Sequence, residues 1–105
     1  MSHHHAAAAV PTASASRYLQ QLCKHWSHDL PVEFTPSEGR IVFSKDVREQ
    51  SFPGDGVVTL KAQESALEVI VEASAPDQLE GLKGAVARHL DRCAFREAPL
   101  TFDWR

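Results

Sequence analysis

The chain has 105 residues and a mass of 11.6 kDa, which is enough for one domain with one modest core. Hydrophobic residues make up 43% of the sequence and charged residues 24%, the balance of a globular protein rather than of a largely disordered chain. The formal net charge is −3, which argues against nucleic-acid binding driven by bulk charge. We therefore expect no nucleic-acid partner.

The N-terminus is predicted to be a disordered tail over residues 1–12, followed by a single domain over residues 13–105. His3, His4 and His5 are typical of a tag remnant, and a flexible nickel- or zinc-binding cluster is the alternative. The apolar run from Ala6 to Val10 is too short for a secretory signal or a membrane span. We therefore expect a cytoplasmic protein without a membrane partner.

Two amphipathic helices are predicted from apolar positions that recur with helical spacing. The first begins near the candidate N-caps Thr12, Ser14 and Ser16 and runs to about Asp29, and Pro31 ends it. Its apolar stripe contains Ala15, Leu19, Leu22, Cys23, Trp26 and Leu30. The second helix runs from about Ala75 to about Ala94, and its stripe contains Leu79, Leu82, Val86, His89, Leu90 and Cys93.

Five strands are predicted from alternating or β-rich segments between turn residues. They are Val32–Phe34, Arg40–Ser44, Val57–Ala62, Leu67–Ala73 and Leu100–Arg105. The segment from Lys45 to Gly56 is polar and is predicted to be an exposed excursion, with a short extended piece possible between Val47 and Phe52.

The order α-β-β-β-β-α-β favours an α+β fold, because two helices with one apolar stripe each need one sheet face to cover. We predict a two-layer α/β sandwich with a mainly antiparallel sheet of about five strands and both helices on one face. The predicted core contains Leu22, Trp26, Leu67, Val69, Val71, Val86, Leu90 and Trp104.

The two cysteines, Cys23 and Cys93, lie at apolar helix positions and are predicted to be buried thiols without a disulfide. His89 and Cys93 are four residues apart and share a helix face, so a half-site completed by Cys23 is the alternative to a core histidine beside an inert thiol. No CxxC or HExxH spacing occurs. We therefore predict no metal and no cofactor.

Polar side chains on the shoulders of the two helices are the candidate ligand-binding residues. They are Arg17, Tyr18, Lys24, His25, His28, His89 and Arg92. If the two shoulders meet, Tyr18, His25, His89 and Arg92 should line one concavity. Imidazole and guanidinium groups there would suit an anionic small molecule, such as one with a carboxylate, catecholate or phosphate group. No residue is predicted to be catalytic.

Two blocks of sequence resemble a bacterial family catalogued as domain of unknown function 2218 (DUF2218). The first runs from Ser16 to His28 (SRYLQQLCKHWSH) and continues with PVEF at Pro31, and the second runs from His89 to Glu97 (HLDRCAFRE) before Trp104. The resemblance covers about Ala15 to Arg105. It implies a genomic context beside, or fused to, siderophore-interacting flavin reductases, and hence an expected association with iron acquisition and such a reductase as partner.

Three functions remain open at this point. The first is a non-enzymatic accessory module that binds a ligand or partner, which the polar run on the first helix favours. The second is a small enzyme that uses a His/Cys pair, which requires an exposed and ionised thiol. The third is a structural domain that self-associates through the open sheet face, where Val42 and Ile70 are expected.

Overall fold

The computed structural model describes residues 4–47 and 50–105. Its secondary structure consists of seven strands and two helices in these residues. In chain order they are β1 (His4–Pro11), α1 (Ala15–Trp26), β2 (Val32–Phe34), β3 (Glu38–Phe43), β4 (Asp46–Val47), β5 (Gln50–Ser51), β6 (Gly56–Ala62), β7 (Ala66–Ala73) and α2 (Pro76–Cys93). In the described residues, no helix is long and apolar enough to cross a lipid bilayer.

Five strands form one antiparallel sheet in the order β1-β7-β6-β3-β2, and β4 and β5 form a separate two-stranded ribbon. Both helices contact the strands of the main sheet, with α1 over β2, β3 and β6 and α2 over β7, β1 and β6. The predicted α+β sandwich with an antiparallel five-stranded sheet is therefore confirmed.

Alternation along the strands places one set of side chains under the helices. The register aligns Ala6, Val71, Val58 and Ile41 across four neighbouring strands, and all four are at most 5% exposed. The opposite sheet face carries charged and partly buried side chains, including Val42 and Ile70. The core therefore lies on one side of the sheet, as the period-2 pattern predicts.

The helices close this core with the predicted stripes. Leu19, Leu22 and Cys23 of α1 and Val86 and Leu90 of α2 are fully buried. All eight residues of the predicted core pack in the hydrophobic cluster, with Trp104 partly buried at its edge. Proline at the start of α2 agrees with the predicted helix start, since its missing N–H would have no partner there.

A close approach of α1 to β3 requires glycine at position 39. A Cβ atom there would lie 2.6 Å from the Cys23 Sγ atom and 3.4 Å from a Leu19 methyl carbon. Glu38 and Gly39 are the first two residues of β3, and the Thr35 N–H donates to the Glu38 carbonyl where the turn before this strand closes. This contact lets the Cys23 thiol rest directly on the sheet.

The prediction of a disordered tail over residues 1–12 is wrong for the described part of that segment. Residues 4–11 form the edge strand β1, which pairs along its whole length with β7. Ala6, Ala8 and Val10 are at most 5% exposed and face the helices. The strand forms because alternate small side chains fill the space under α2, although alanine itself has a low strand propensity. His3 lies outside the described residues.

The prediction of a regular C-terminal strand is also wrong, because residues 100–105 form no ladder. The segment is extended along the outer edge of β1, where the backbones of Arg105 and Ala7 exchange two hydrogen bonds of 2.8 and 3.0 Å. Leu100 is buried, and the rings of Phe102 and Trp104 stack with centroids 5.7 Å apart. The observed order is therefore β-α-β-β-β-β-β-α.

Candidate functional site

A cavity of about 300 Å³ opens between the N-terminal half of α2, the end of β3 and the segment that follows the β4–β5 ribbon. Its lining is mainly apolar, with polar groups at one end. The lining residues are Phe43, Ser44, Phe52, Asp77, Gln78, Gly81, Leu82 and Ala85. The volume lies at the lower end of the range of small-molecule pockets, about 300–1,000 Å³. A single aromatic ring with short substituents fits this space.

An aromatic cluster connects one wall of this cavity to α1. The ring of Phe43, which lines the cavity, meets the Trp26 indole edge to face, with centroids 5.0 Å apart. Trp26 packs in turn against the His89 imidazole at 4.8 Å, and His89 lies 5.2 Å from the His25 imidazole. A series of contacting rings thus leads from Phe43 in the cavity wall to two imidazoles that lie outside the cavity lining.

The Ala85 carbonyl orients the His89 ring. The Nδ1 atom of His89 lies 2.7 Å from this oxygen, which can only accept, so Nδ1 donates. In the neutral imidazole Nε2 is then the acceptor. Ala85 also lines the cavity, and His89 follows it by one turn of α2. The His89 Nε2 atom is therefore a hydrogen-bond acceptor close to the cavity.

The seven predicted ligand-binding residues do not share one concavity. His25 and His89 come together, whereas Arg17 and Tyr18 line a separate pocket of about 150 Å³ at the other end of α1. Of the remaining three, Lys24 and Arg92 are exposed on the helix surfaces and His28 is exposed in the turn after α1. The expected concavity of Tyr18, His25, His89 and Arg92 is therefore divided, because seven residues of helix separate Tyr18 from His25 by about 10 Å.

Tyr18 belongs to a hydrogen-bonded cluster that ties α1 to the segment after α2. Its hydroxyl donates to the carboxylate of Glu97, whose two oxygens also accept from the Thr12 hydroxyl at 3.1 Å. The hydrogen bond to Glu97, together with burial and the negative charge of that carboxylate, raises the pKa of Tyr18 above 10.0. The cluster therefore connects α1 to the segment after α2.

Replacement of Tyr18 by phenylalanine should lower the free energy of unfolding by about 1–3 kcal/mol, because the hydrogen bond to a charged group is lost. The folded-state pKa is raised, so this contribution is fully present below pH 10 and is lost as the pH rises through the folded pKa. The difference between the two proteins in urea unfolding should shrink above about pH 10. A difference that is constant from pH 7 to 11 would contradict this role.

Both cysteines are free thiols held in apolar surroundings. Cys23 is fully buried, and burial raises its pKa to about 11. Cys93 is partly buried, and burial raises its pKa as well. Both thiols are therefore protonated at neutral pH, which argues against their use as thiolate nucleophiles.

The histidines and cysteines do not assemble a metal centre in the structure as described. Over residues 4–47 and 50–105, no group of three or more His, Cys, Asp or Glu side chains is arranged to hold a metal ion. His4 and His5 are adjacent in β1, where successive side chains point to opposite faces. Among the described residues, no third His, Cys, Asp or Glu side chain therefore joins His25 and His89 in such a group.

A profile of the DUF2218 family, described as an uncharacterised protein conserved in bacteria, matches residues 7–105. The chain belongs to the DUF2218 family. The matched region begins within β1, so the family pattern includes the edge strand as well as the helices and the central strands. No curated protein matches the chain.

Among solved structures, the DUF2218 chain is similar to the NMR structure of PA4090 from Pseudomonas aeruginosa. The two sequences are 32% identical, the match covers 96% of this chain and 94% of that one, and the TM-score is 0.75. This likeness supports the architecture with β1 at the sheet edge and assigns no activity.

Sequence reasoning missed the cavity, although it identified the histidines beside it. Phe52 and Asp77 line the cavity from two segments that are far apart in the sequence, and no spacing rule connects them. One signal was present: Gly81 and Ala85 are small residues four apart on α2, which leaves room on that helix face.

Proposed function

We propose that this DUF2218 chain is a non-enzymatic binding module for a small hydroxylated aromatic acid. The observation that supports the proposal most strongly is the mainly apolar cavity, which the aromatic cluster backs through Phe43. Phe43 belongs to both, and the rings of Trp26 and His89 follow it. A flat apolar ring in the cavity would gain burial and aromatic packing against Phe43 and Phe52.

The chemistry around His89 favours a ligand with a hydroxyl group. Because Nδ1 donates to the Ala85 carbonyl, Nε2 of the neutral ring accepts, and a phenol or catechol hydroxyl is a suitable donor. The charged side chain in the cavity lining is Asp77, and the exposed cations Lys24 and Arg92 lie on α1 and α2 outside that lining. A ring with hydroxyl groups therefore fits the cavity better than a simple anion does.

The iron-related context is part of the proposal. Catechol carboxylates and catecholate chelators carry the ring, hydroxyl and charge that the site would recognise, and the family resemblance associates such domains with siderophore-interacting flavin reductases. We propose a catecholate of this kind as the natural ligand class and such a reductase as the partner protein.

A cavity-filling substitution tests the proposal. A Cβ atom at Gly81 meets no other atom within 4 Å, so Gly81→Leu should place its side chain in the cavity without disturbing the core. Replacing a mid-helix glycine also removes a cost of roughly 1 kcal/mol. The matched control is Gly84→Leu, where the new Cβ would meet only the flexible guanidinium of Arg88, outside the cavity.

Binding of 2,3-dihydroxybenzoate is the measurement, with benzoate as the analogue that lacks hydroxyls. We expect Gly81→Leu to abolish binding, Gly84→Leu to retain it, and benzoate to bind roughly three- to tenfold more weakly because it cannot donate a hydrogen bond. Absence of binding by the unmodified protein at about 10 mM probe, or equal binding by the two leucine variants, would refute the proposed site.

A further inference from the structure

We propose a second binding site, at the end of α2 remote from the cavity, that takes an acidic segment of a partner protein. The site is the 150 Å³ pocket between α1 and the turn after α2, which we call the arginine pocket. Its lining residues are Arg17, Tyr18, Cys93, Ala94, Phe95 and Arg96. The inference is independent of the proposed catecholate site, because the two pockets share no residue.

Charge is the first support for this site. Arg17 comes from the first turn of α1 and Arg96 from the turn that follows α2, so two separate elements bring two guanidiniums to one pocket. Both are exposed, and neither forms an ion pair with a carboxylate of the described residues. The nearby Glu97 carboxylate instead accepts hydrogen bonds from Tyr18 and Thr12. The arginines therefore remain able to bind a carboxylate from outside.

The exposed ring of Phe95 is the second support. Among the described residues, Phe95 is the one large hydrophobic residue that is exposed to solvent, with 71% of its surface accessible. The Arg96 guanidinium lies 5.6 Å from the centroid of its ring. An exposed aromatic ring with an adjacent arginine is typical of the anchor residues of protein interfaces. The ring therefore offers an apolar contact beside the two charges.

The size of the pocket decides the class of ligand. About 150 Å³ is half the volume of the first cavity and accommodates one acidic group rather than an organic ligand with several rings. The C-terminal end of α2 repels an anion, so the guanidiniums must provide the attraction. A segment with acidic side chains and one aromatic residue fits both the charges and Phe95.

Fluorescence anisotropy with a labelled DEFED peptide and its neutral counterpart NQFQN tests the site. We expect DEFED to bind with a dissociation constant below about 1 mM and NQFQN to bind at least about tenfold more weakly. The double variant Arg17→Gln, Arg96→Gln and the single variant Phe95→Ser should each weaken DEFED binding about tenfold. Arg88→Gln, which replaces an exposed arginine outside the pocket, is the matched control and should leave binding unchanged.

Three outcomes would overturn the proposal. The first is equal binding of the two peptides, and the second is unchanged DEFED binding by the double variant. The third is complete competition by inorganic phosphate at a concentration no higher than the peptide's dissociation constant, which would identify a free-anion site instead. Since Gly81→Leu should not affect DEFED binding, failure of the cavity proposal and failure of this one are distinguishable.

Discussion

Replacing Trp26 with alanine should lower the free energy of unfolding by about 3–5 kcal/mol. The indole is 8% exposed and joins the aromatic cluster, with ring centroids 5.0 Å from Phe43 and 4.8 Å from His89. Its removal leaves a cavity between α1 and β3 and separates these two rings. Urea unfolding of the two proteins, followed by circular dichroism, measures the loss.

The control for this substitution is Phe95→Ala, which removes an aromatic ring that is 71% exposed. It should change the free energy of unfolding by no more than about 0.5 kcal/mol. A loss below about 1 kcal/mol for Trp26→Ala would mean that the indole does not connect the helix to the sheet.

Replacing Ala8 with aspartate should destabilise the protein by about 3–5 kcal/mol at neutral pH, because it buries an unpaired charge. Ala8 is 3% exposed and packs in the core beneath the helices, opposite Val69 of β7. The matched control is Ala9→Asp: the neighbouring side chain points to the other face of β1 and is exposed.

The two aspartate variants together test whether the N-terminal segment is a strand of the sheet. We expect Ala9→Asp to cost less than about 1 kcal/mol, and we expect the cost of Ala8→Asp to fall at acidic pH as its carboxylate is protonated. Similar, small effects at the two positions would indicate that residues 4–11 do not pack on the sheet.

Periodicity alone predicted most of the fold. Local rules account for the apolar stripes of α1 and α2, the alternation in β7 and the helix boundaries at Pro31 and Pro76. The structure places these elements within a few residues of the predicted positions. These rules work because each element buries one face against the same core.

Both ends of the chain required tertiary information. The run from Ala6 to Ala9 has no apolar–polar alternation, so nothing local distinguishes a strand from a tail. β1 forms because β7 would otherwise leave a long unpaired edge. The C-terminal segment has strand-like residues and lies along the outer edge of β1. In the described residues its backbone hydrogen bonds to that strand join Arg105 and Ala7, so it forms no regular strand.

The candidate site was predictable only in part, because it depends on which helix turns face each other. His25 and His89 were identified from their positions on the helix shoulders, and their rings do meet. Tyr18 lies on the same shoulder as His25, but its hydroxyl donates a hydrogen bond to Glu97. No local sequence pattern relates these two residues. The cavity lining likewise depends on where Ser44 and Phe52 lie relative to α2, which no local pattern predicts.

Intermolecular nuclear Overhauser effects between bound 2,3-dihydroxybenzoate and the protein are the most direct test of whether the cavity binds a hydroxylated aromatic acid. We predict contacts from the ring protons of the probe to Phe43, Phe52 and the methyl group of Ala85, with the His89 ring at the edge of the contact region. Contacts confined to Val42 and Ile70 on the open sheet face would contradict it, and so would contacts confined to the arginine pocket.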